Sequence, residues 1–239
     1  MMKKITTVLF DADNTLLDFL KDEHQALARV LETLGVPATD ENISIYSRIN
    51  QGLWKQLEKG EITKPELKRV RFRLFFDAIG FSCDKDPLEV NEFYLSLLSE
   101  GGNLLEGAIE TVRKLRSDGL DLYIVTNGIA ATQARRLERS GLTPYISEVF
   151  VSETIGYQKP RKEYFDFVLD KIPEKDKEKI LLVGDSLTSD IKGAMNADIP
   201  CCWLNLADEE LPDGYKPDFI ISKVSETLNI ISCRNGDAL

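Results

Sequence analysis

Apolar residues along the chain change their spacing twice. The run Ile5-Thr6-Thr7-Val8-Leu9-Phe10 reads as a strand that drives straight into Asp11, Ala12 and Asp13. From about residue 18 to residue 100 apolar positions recur at helical intervals, as in Ala26, Val30, Leu31 and Leu34 and again in Leu67, Val70 and Leu74, and no strand is predicted. Beyond that stretch, helices over 106–117, 131–139, 163–169 and about 190–196 alternate with strands over 121–126, 148–151, 179–184 and 201–205. Runs such as Ile180-Leu181-Leu182-Val183 are apolar throughout, as strands covered on both faces must be. The pattern predicts an α/β chain with a doubly wound parallel sheet, its core formed by 1–16 and 101–239 and interrupted by a helical cap over 17–100.

Composition narrows the partners. The chain has 239 residues, 43% of them hydrophobic, and a formal charge of −10, which argues against an extended basic surface for a nucleic acid polymer or an anionic membrane. An anionic substrate therefore needs a local positive pocket. No apolar run approaches the ~18 residues of a membrane span, and the N-terminus Met1-Met2-Lys3-Lys4-Ile5 leads into a strand rather than a signal segment, so a cytoplasmic protein is expected, and no obligate protein partner is inferred. Cys83, Cys201, Cys202 and Cys233 form no CxxC pair, which weakens the case for zinc or disulfides. His24, the single histidine, sits in a helical context that suits a surface position, leaving little room for histidine-based catalysis. Neither a GxxxxGK[ST] loop nor a GxGxxG turn is present.

In an open parallel sheet, ligands bind outside the carboxyl ends of the strands. Asp11 and Asp13 follow the first strand, Thr126 and Asn127 end the next, Asp185 and Asp190 follow the fourth, and Lys159 lies in the segment before Pro160. Any one acid after a strand is more often a turn former or an N-cap. Several strand ends that deliver acids, a hydroxyl and a lysine to one rim are harder to obtain by chance. Clustered carboxylates call for a cation, and hard oxygen donors with no Cys or His suit Mg²⁺. The Thr126 hydroxyl, main-chain amides around Asn127 and Gly128 and the Lys159 ammonium suit a phosphate. The set fits phosphoryl transfer to an aspartate, with a second acid to protonate the leaving oxygen and activate water.

These motifs, FDADNT, VTNG, Lys159-Pro160 and VGDSLTSD in that order, resemble those of the haloacid dehalogenase-like hydrolase superfamily over essentially the whole chain. The resemblance implies a Rossmann-like core with an inserted cap. It also implies Asp11 as nucleophile, Asp13 as general acid and base whose backbone carbonyl binds Mg²⁺, Thr126 and Lys159 as phosphate ligands, Asp185 as a metal ligand and Asp190 as support behind the metal. The dehalogenases of the superfamily lack the second acid, so Asp13 favours phosphate esters.

A closer similarity, to the bacterial pyrimidine 5′-nucleotidases, lies in NQGLWKQLEKGEITKPELKRVRF, VTNGIAATQARRLERSGL and CCWLN. It implies a nucleoside monophosphate as the small phosphorylated partner. Phosphoglycolate or a sugar phosphate, a phosphomutase activity and a non-catalytic binding role are the alternatives. Gly60, Glu61, Ile62 and Thr63 form the turn expected to carry specificity, because cap loops do so and glycine permits close approach. Lys68, Arg69, Arg71 and Arg73 read as a solvated helix face, and Trp54, Leu57 and Phe72 as cap core.

Overall fold

The computed structural model describes residues 3–236, so Met1 and Met2 of the expected N-terminal lead lie outside the described residues. Six parallel strands form one sheet in the order β3-β2-β1-β4-β5-β6, with β1 Thr7–Phe10, β2 Asp121–Thr126, β3 Glu148–Val151, β4 Ile180–Gly184, β5 Cys201–Leu204 and β6 Phe219–Ile221. The strand order reverses between β1 and β4, the switch point at which α/β sheets open a crevice. Alternate strand residues feed two cores. Val8, Phe10, Leu122, Ile124, Leu181 and Val183 pack on one face, while Leu9, Tyr123, Val125, Ile180, Leu182 and Trp203 pack on the other. That double burial explains the continuous apolar runs and makes the sheet Rossmann-like and doubly wound.

The chain divides into two compact units, one running to Asp18 and resuming at Asn103, the other spanning Phe19–Gly102. The second unit holds α1 Phe19–Thr33, α2 Asp40–Glu58, α3 Lys64–Ile79 and α4 Pro87–Leu98. Its centre is aromatic: the Tyr46 ring lies 5.3 Å from Phe72, 5.4 Å from Phe75 and 5.4 Å from Tyr94. Leu57 and Phe72 are buried and Trp54 is half-buried, whereas Leu74 is exposed. Arg71 departs from the expected basic face. It is 1% exposed and donates to Asn50 Oδ1 at 3.0 Å and to Asn91 Oδ1, with its guanidinium 4.9 Å from the Tyr94 ring centroid. Asn50 in turn donates to the buried Glu23 at 2.6 Å, so a polar chain joins a buried cation to a buried anion. Arg69 and Arg73 remain exposed, Lys68 is half-buried and His24 is exposed.

The sheet unit carries α5 Ala108–Ser117, α6 Ala130–Ser140, α7 Ser152–Ile155, α8 Lys162–Lys171, α9 Lys192–Ala197 and α10 Thr227–Asn235. Three elements lack a sequence expectation: the one-turn α7, the edge strand β6 and α10. β6 has three residues with Ile220 51% exposed, too short and too open to show a buried-strand pattern. The first strand begins at Thr7 rather than Ile5. Ile5 instead exchanges its main-chain groups with the Asn235 side chain, donating at 2.8 Å and accepting at 3.1 Å. Cys201 and Cys202 are buried in β5, and all four cysteines are free. Among the described residues no helix is long and apolar enough to cross a membrane.

Candidate active site

The ends of β1, β2 and β4 converge at the switch point. The Asp11 amide still donates to Val183 O at 2.9 Å, which carries the β1–β4 ladder one residue past the strand and fixes the Asp11 side chain at the rim. Beyond it the chain turns back through Asn14, at φ 56°, a left-handed conformation that asparagine tolerates better than most residues. After β4, Gly184 is required by packing: a Cβ there would lie 2.5 Å from Asp190 Cγ. Leu187–Ile191 form a π-helical turn ahead of α9, instead of the regular helix start expected near Asp190. This wider turn brings Asp190 back under the strand end, where its Oδ2 accepts from Ser186 N at 3.1 Å.

Lys159 ties these ends together. Its buried ammonium donates to Asp11 Oδ1 at 2.5 Å, Asp190 Oδ1 at 2.6 Å and Val125 O at 2.8 Å, one acceptor for each N–H. Its backbone is clamped by the Asn127 amide, which donates to Lys159 O and accepts from Lys159 N, both at 2.9 Å. The Asn127 side chain is thus committed to Lys159. Thr126 Oγ1 accepts from Gly128 N at 3.0 Å and from Gln133 Nε2 at 3.1 Å. With both lone pairs engaged, the hydroxyl keeps its proton as a donor.

Carboxylate oxygens of Asp11, Asp185 and Asp190 all lie within 4.8 Å of one another. Burial pushes the Asp11 carboxyl up to about 7 against the pull of Lys159. Asp185 is also raised, by burial and then by the neighbouring Asp11 and Asp190 charges. Lys159 is raised because its two carboxylate partners outweigh its burial. Among the described residues, three acids beside a single lysine form a site short of positive charge, and a donor set made only of carboxylate oxygens fits a hard divalent cation such as Mg²⁺. The Trp203 indole donates to Asp185 O at 2.8 Å and steadies that residue.

Asp13 stands apart from the three-acid group, with its carboxylate turned towards α6. Arg136 donates to Asp13 Oδ1, and Gln133 Nε2 donates to Asp13 Oδ2 at 2.6 Å. Both α6 residues are 1% exposed. Sequence reasoning misses them. The available signal is their spacing: Gln133 and Arg136 share the buried face of α6 with Thr132 and Leu137, an unusual place for polar side chains without partners. Gly60, Glu61, Ile62 and Thr63 belong to the helical unit. Gly60, at φ 75°, ends α2, and Thr63 caps α3 in a capping box, its amide and hydroxyl both bonded to Glu66 at 2.7 Å.

The family model for haloacid dehalogenase-like hydrolases matches residues 5–198. The chain is 40% identical over 224 residues to the pyrimidine 5′-nucleotidase PynA of Streptococcus pneumoniae, covering 94% of each chain. It is 33% identical over 228 residues to the pyrimidine 5′-nucleotidase YjjG of Escherichia coli, covering 95% of this chain and 98% of that one. A solved structure of the HAD-hydrolase YfnB from Bacillus subtilis, bound to magnesium, superposes with a TM-score of 0.90 at 39% identity, covering 96% of this chain and 99% of that one.

Proposed function

The chain belongs to the haloacid dehalogenase-like hydrolase family, and from that premise we propose that it is a Mg²⁺-dependent cytoplasmic phosphatase that removes the 5′-phosphate from pyrimidine nucleoside monophosphates. The observation that carries this reading is the convergence of Asp11, Asp185 and Asp190 around Lys159, with Asp13 and Thr126 joined through Gln133. The nucleotide preference rests on the two pyrimidine 5′-nucleotidases to which the chain is similar.

A carboxylate oxygen of Asp11 attacks phosphorus, the bond to the ester oxygen breaks, and Asp13 donates the proton that the leaving alcohol needs. Asp13, now ionised, takes a proton from water as that water attacks the phosphorus of the Asp11 acyl phosphate. Inorganic phosphate leaves and the Asp11 carboxylate is restored. Lys159 holds Asp11 in place and, by exchanging one of its three bonds, faces the phosphoryl oxygens. The Thr126 proton and the main-chain N–H groups at Asn127 and Gly128 supply further donors. Asp11, Asp185 and the Asp13 carbonyl would hold Mg²⁺ with Asp190 behind them, and the ion would supply charge neutralisation of the phosphoryl group. Phe19–Gly102 serves as the cap, with Gly60, Glu61, Ile62 and Thr63 as its specificity turn.

The test is turnover of UMP, dUMP and dTMP against purine monophosphates, sugar phosphates and phosphoglycolate, with Mg²⁺ and with chelator. The pyrimidine nucleotides are expected to have the highest kcat/KM, and chelator to abolish turnover. Replacement of Glu61-Ile62-Thr63 is expected to reorder the substrates while p-nitrophenyl phosphate hydrolysis survives. Faster hydrolysis of phosphoglycolate or a sugar phosphate would overturn the nucleotidase reading. Loss of every phosphatase activity from the folded protein would overturn both.

A further inference from the structure

We infer that Gln133 and Arg136, on the buried face of α6, are positioning residues that aim the Asp13 carboxylate and the Thr126 hydroxyl as one unit. The inference rests on the assignment of Asp13 as general acid and base. Gln133 Nε2 has two hydrogens and two acceptors, Asp13 Oδ2 at 2.6 Å and Thr126 Oγ1 at 3.1 Å. Its Oε1 accepts from Arg136 at 3.1 Å, which fixes the orientation of the amide, since a flipped Gln133 would set its N–H groups against the guanidinium. Arg136 also donates to Asp13 Oδ1. Both Asp13 oxygens are therefore gripped by side chains locked inside the core, and the same amide fills a lone pair on Thr126. The Thr126 proton is thereby left to point at a phosphoryl oxygen. One helix face thus couples the acid that serves the leaving group to the hydroxyl that holds the phosphate.

Gly128 shows that room is kept for this device. A Cβ on Gly128 would lie 2.5 Å from Gln133 Nε2 and 2.6 Å from Gln133 Cγ, while Gly128 is absent from the glycines with positive φ. The glycine is there to let Gln133 through, not to relieve the backbone. The aim of a general acid matters because its contribution of about 10²–10⁴-fold depends on hydrogen-bond reach to the leaving oxygen.

The experiment compares Gln133→Met and Arg136→Met with wild type by rapid quench, following phosphoenzyme formation from UMP and from p-nitrophenyl phosphate in Mg²⁺. An alkyl ester needs its leaving oxygen protonated and a nitrophenolate barely does. Each variant is expected to slow the UMP step by about 30-fold or more and the aryl step by about 3-fold or less. Arg136→Lys should recover part of the loss. In an Asp13→Asn background Gln133→Met should change the UMP step by less than about 3-fold, no more than it changes the aryl step, because only its bond to Thr126 then remains to be lost. Equal losses for both esters, or a full additive loss in that background, would overturn the inference alone. No turnover of either ester by wild type would overturn the phosphatase reading, and this inference with it. Should Arg136→Met fail to fold, Gln133→Met, which removes no charge, decides the matter by the same comparison.

Discussion

Replacing Lys159 with methionine keeps the length of the side chain and removes the buried cation that pairs with Asp11 and Asp190 in the three-acid cluster. The ammonium lies 2.5 Å from Asp11 Oδ1 and 2.6 Å from Asp190 Oδ1 and is 1% exposed. At an effective dielectric of about 20 each contact carries roughly 6–7 kcal/mol of gross attraction. Desolvation of the three ions offsets most of that sum. The net loss on removing one partner of a buried pair is about 3–5 kcal/mol, which for a chain of this size lowers Tm by roughly 6–20 °C. The loss also depends on pH. Burial holds Asp11 up at about 7 even with Lys159 opposing it, so without the lysine the carboxyl rises further. A carboxyl whose folded pKa exceeds its unfolded one binds protons more tightly when folded, so stability falls as pH rises through that window. Metal-free Lys159→Met is therefore expected to melt far below metal-free wild type at pH 8, and closer to it at pH 5. Urea or thermal melts with chelator present read both effects. A loss below about 1 kcal/mol at pH 8, or one equal at pH 5 and pH 8, would refute the electrostatic account of the cluster.

Gly128→Ala should act on Gln133 rather than on the backbone, lowering kcat for UMP by about 10-fold or more with a Tm shift of only a few degrees; unchanged kcat would show that Gln133 has slack. In the helical unit, Arg71→Met removes the buried guanidinium that donates to Asn50 and Asn91 and should cost about 1–3 kcal/mol for each acceptor left without its donor, read in a urea melt. Adding Mg²⁺ at about 100 times its Kd should stabilise wild type by roughly 2.7 kcal/mol, and Asp185→Asn should remove most of that shift.

The motif-bearing strand ends are legible in the sequence because each is the point where a continuous apolar run stops: Phe10 before Asp11, Val125 before Thr126, Gly184 before Asp185. Parallel strands buried on both faces make that boundary sharp. The partners of those residues are harder to see. Arg136 meets Asp13 across 123 residues of sequence and Lys159 meets Asp11 across 148, and no local periodicity encodes such a pairing. Arg71 misleads for a related reason. It sits among Lys68, Arg69 and Arg73, a run whose composition reads as solvated, yet the helix turns it inwards onto Asn50 and Asn91. Asp22 is another case: buried in α1, it accepts from Gly102 N at 3.0 Å across 80 residues, and a Cβ on Gly101 would clash with it. Charge alone marks such residues as surface until the fold supplies a partner.

In the proposed mechanism Asp11 carries the phosphoryl group between the substrate and water. An acyl phosphate is reduced by borohydride to an alcohol, whereas a free carboxylate is not. Wild type is mixed with UMP and Mg²⁺, quenched within one turnover and reduced, and the peptide holding residue 11 is weighed by mass spectrometry. Homoserine is expected at position 11 only when UMP and Mg²⁺ are both present. Rapid UMP turnover with an unmodified Asp11 peptide, or reduction at a different carboxylate, would contradict that mechanism.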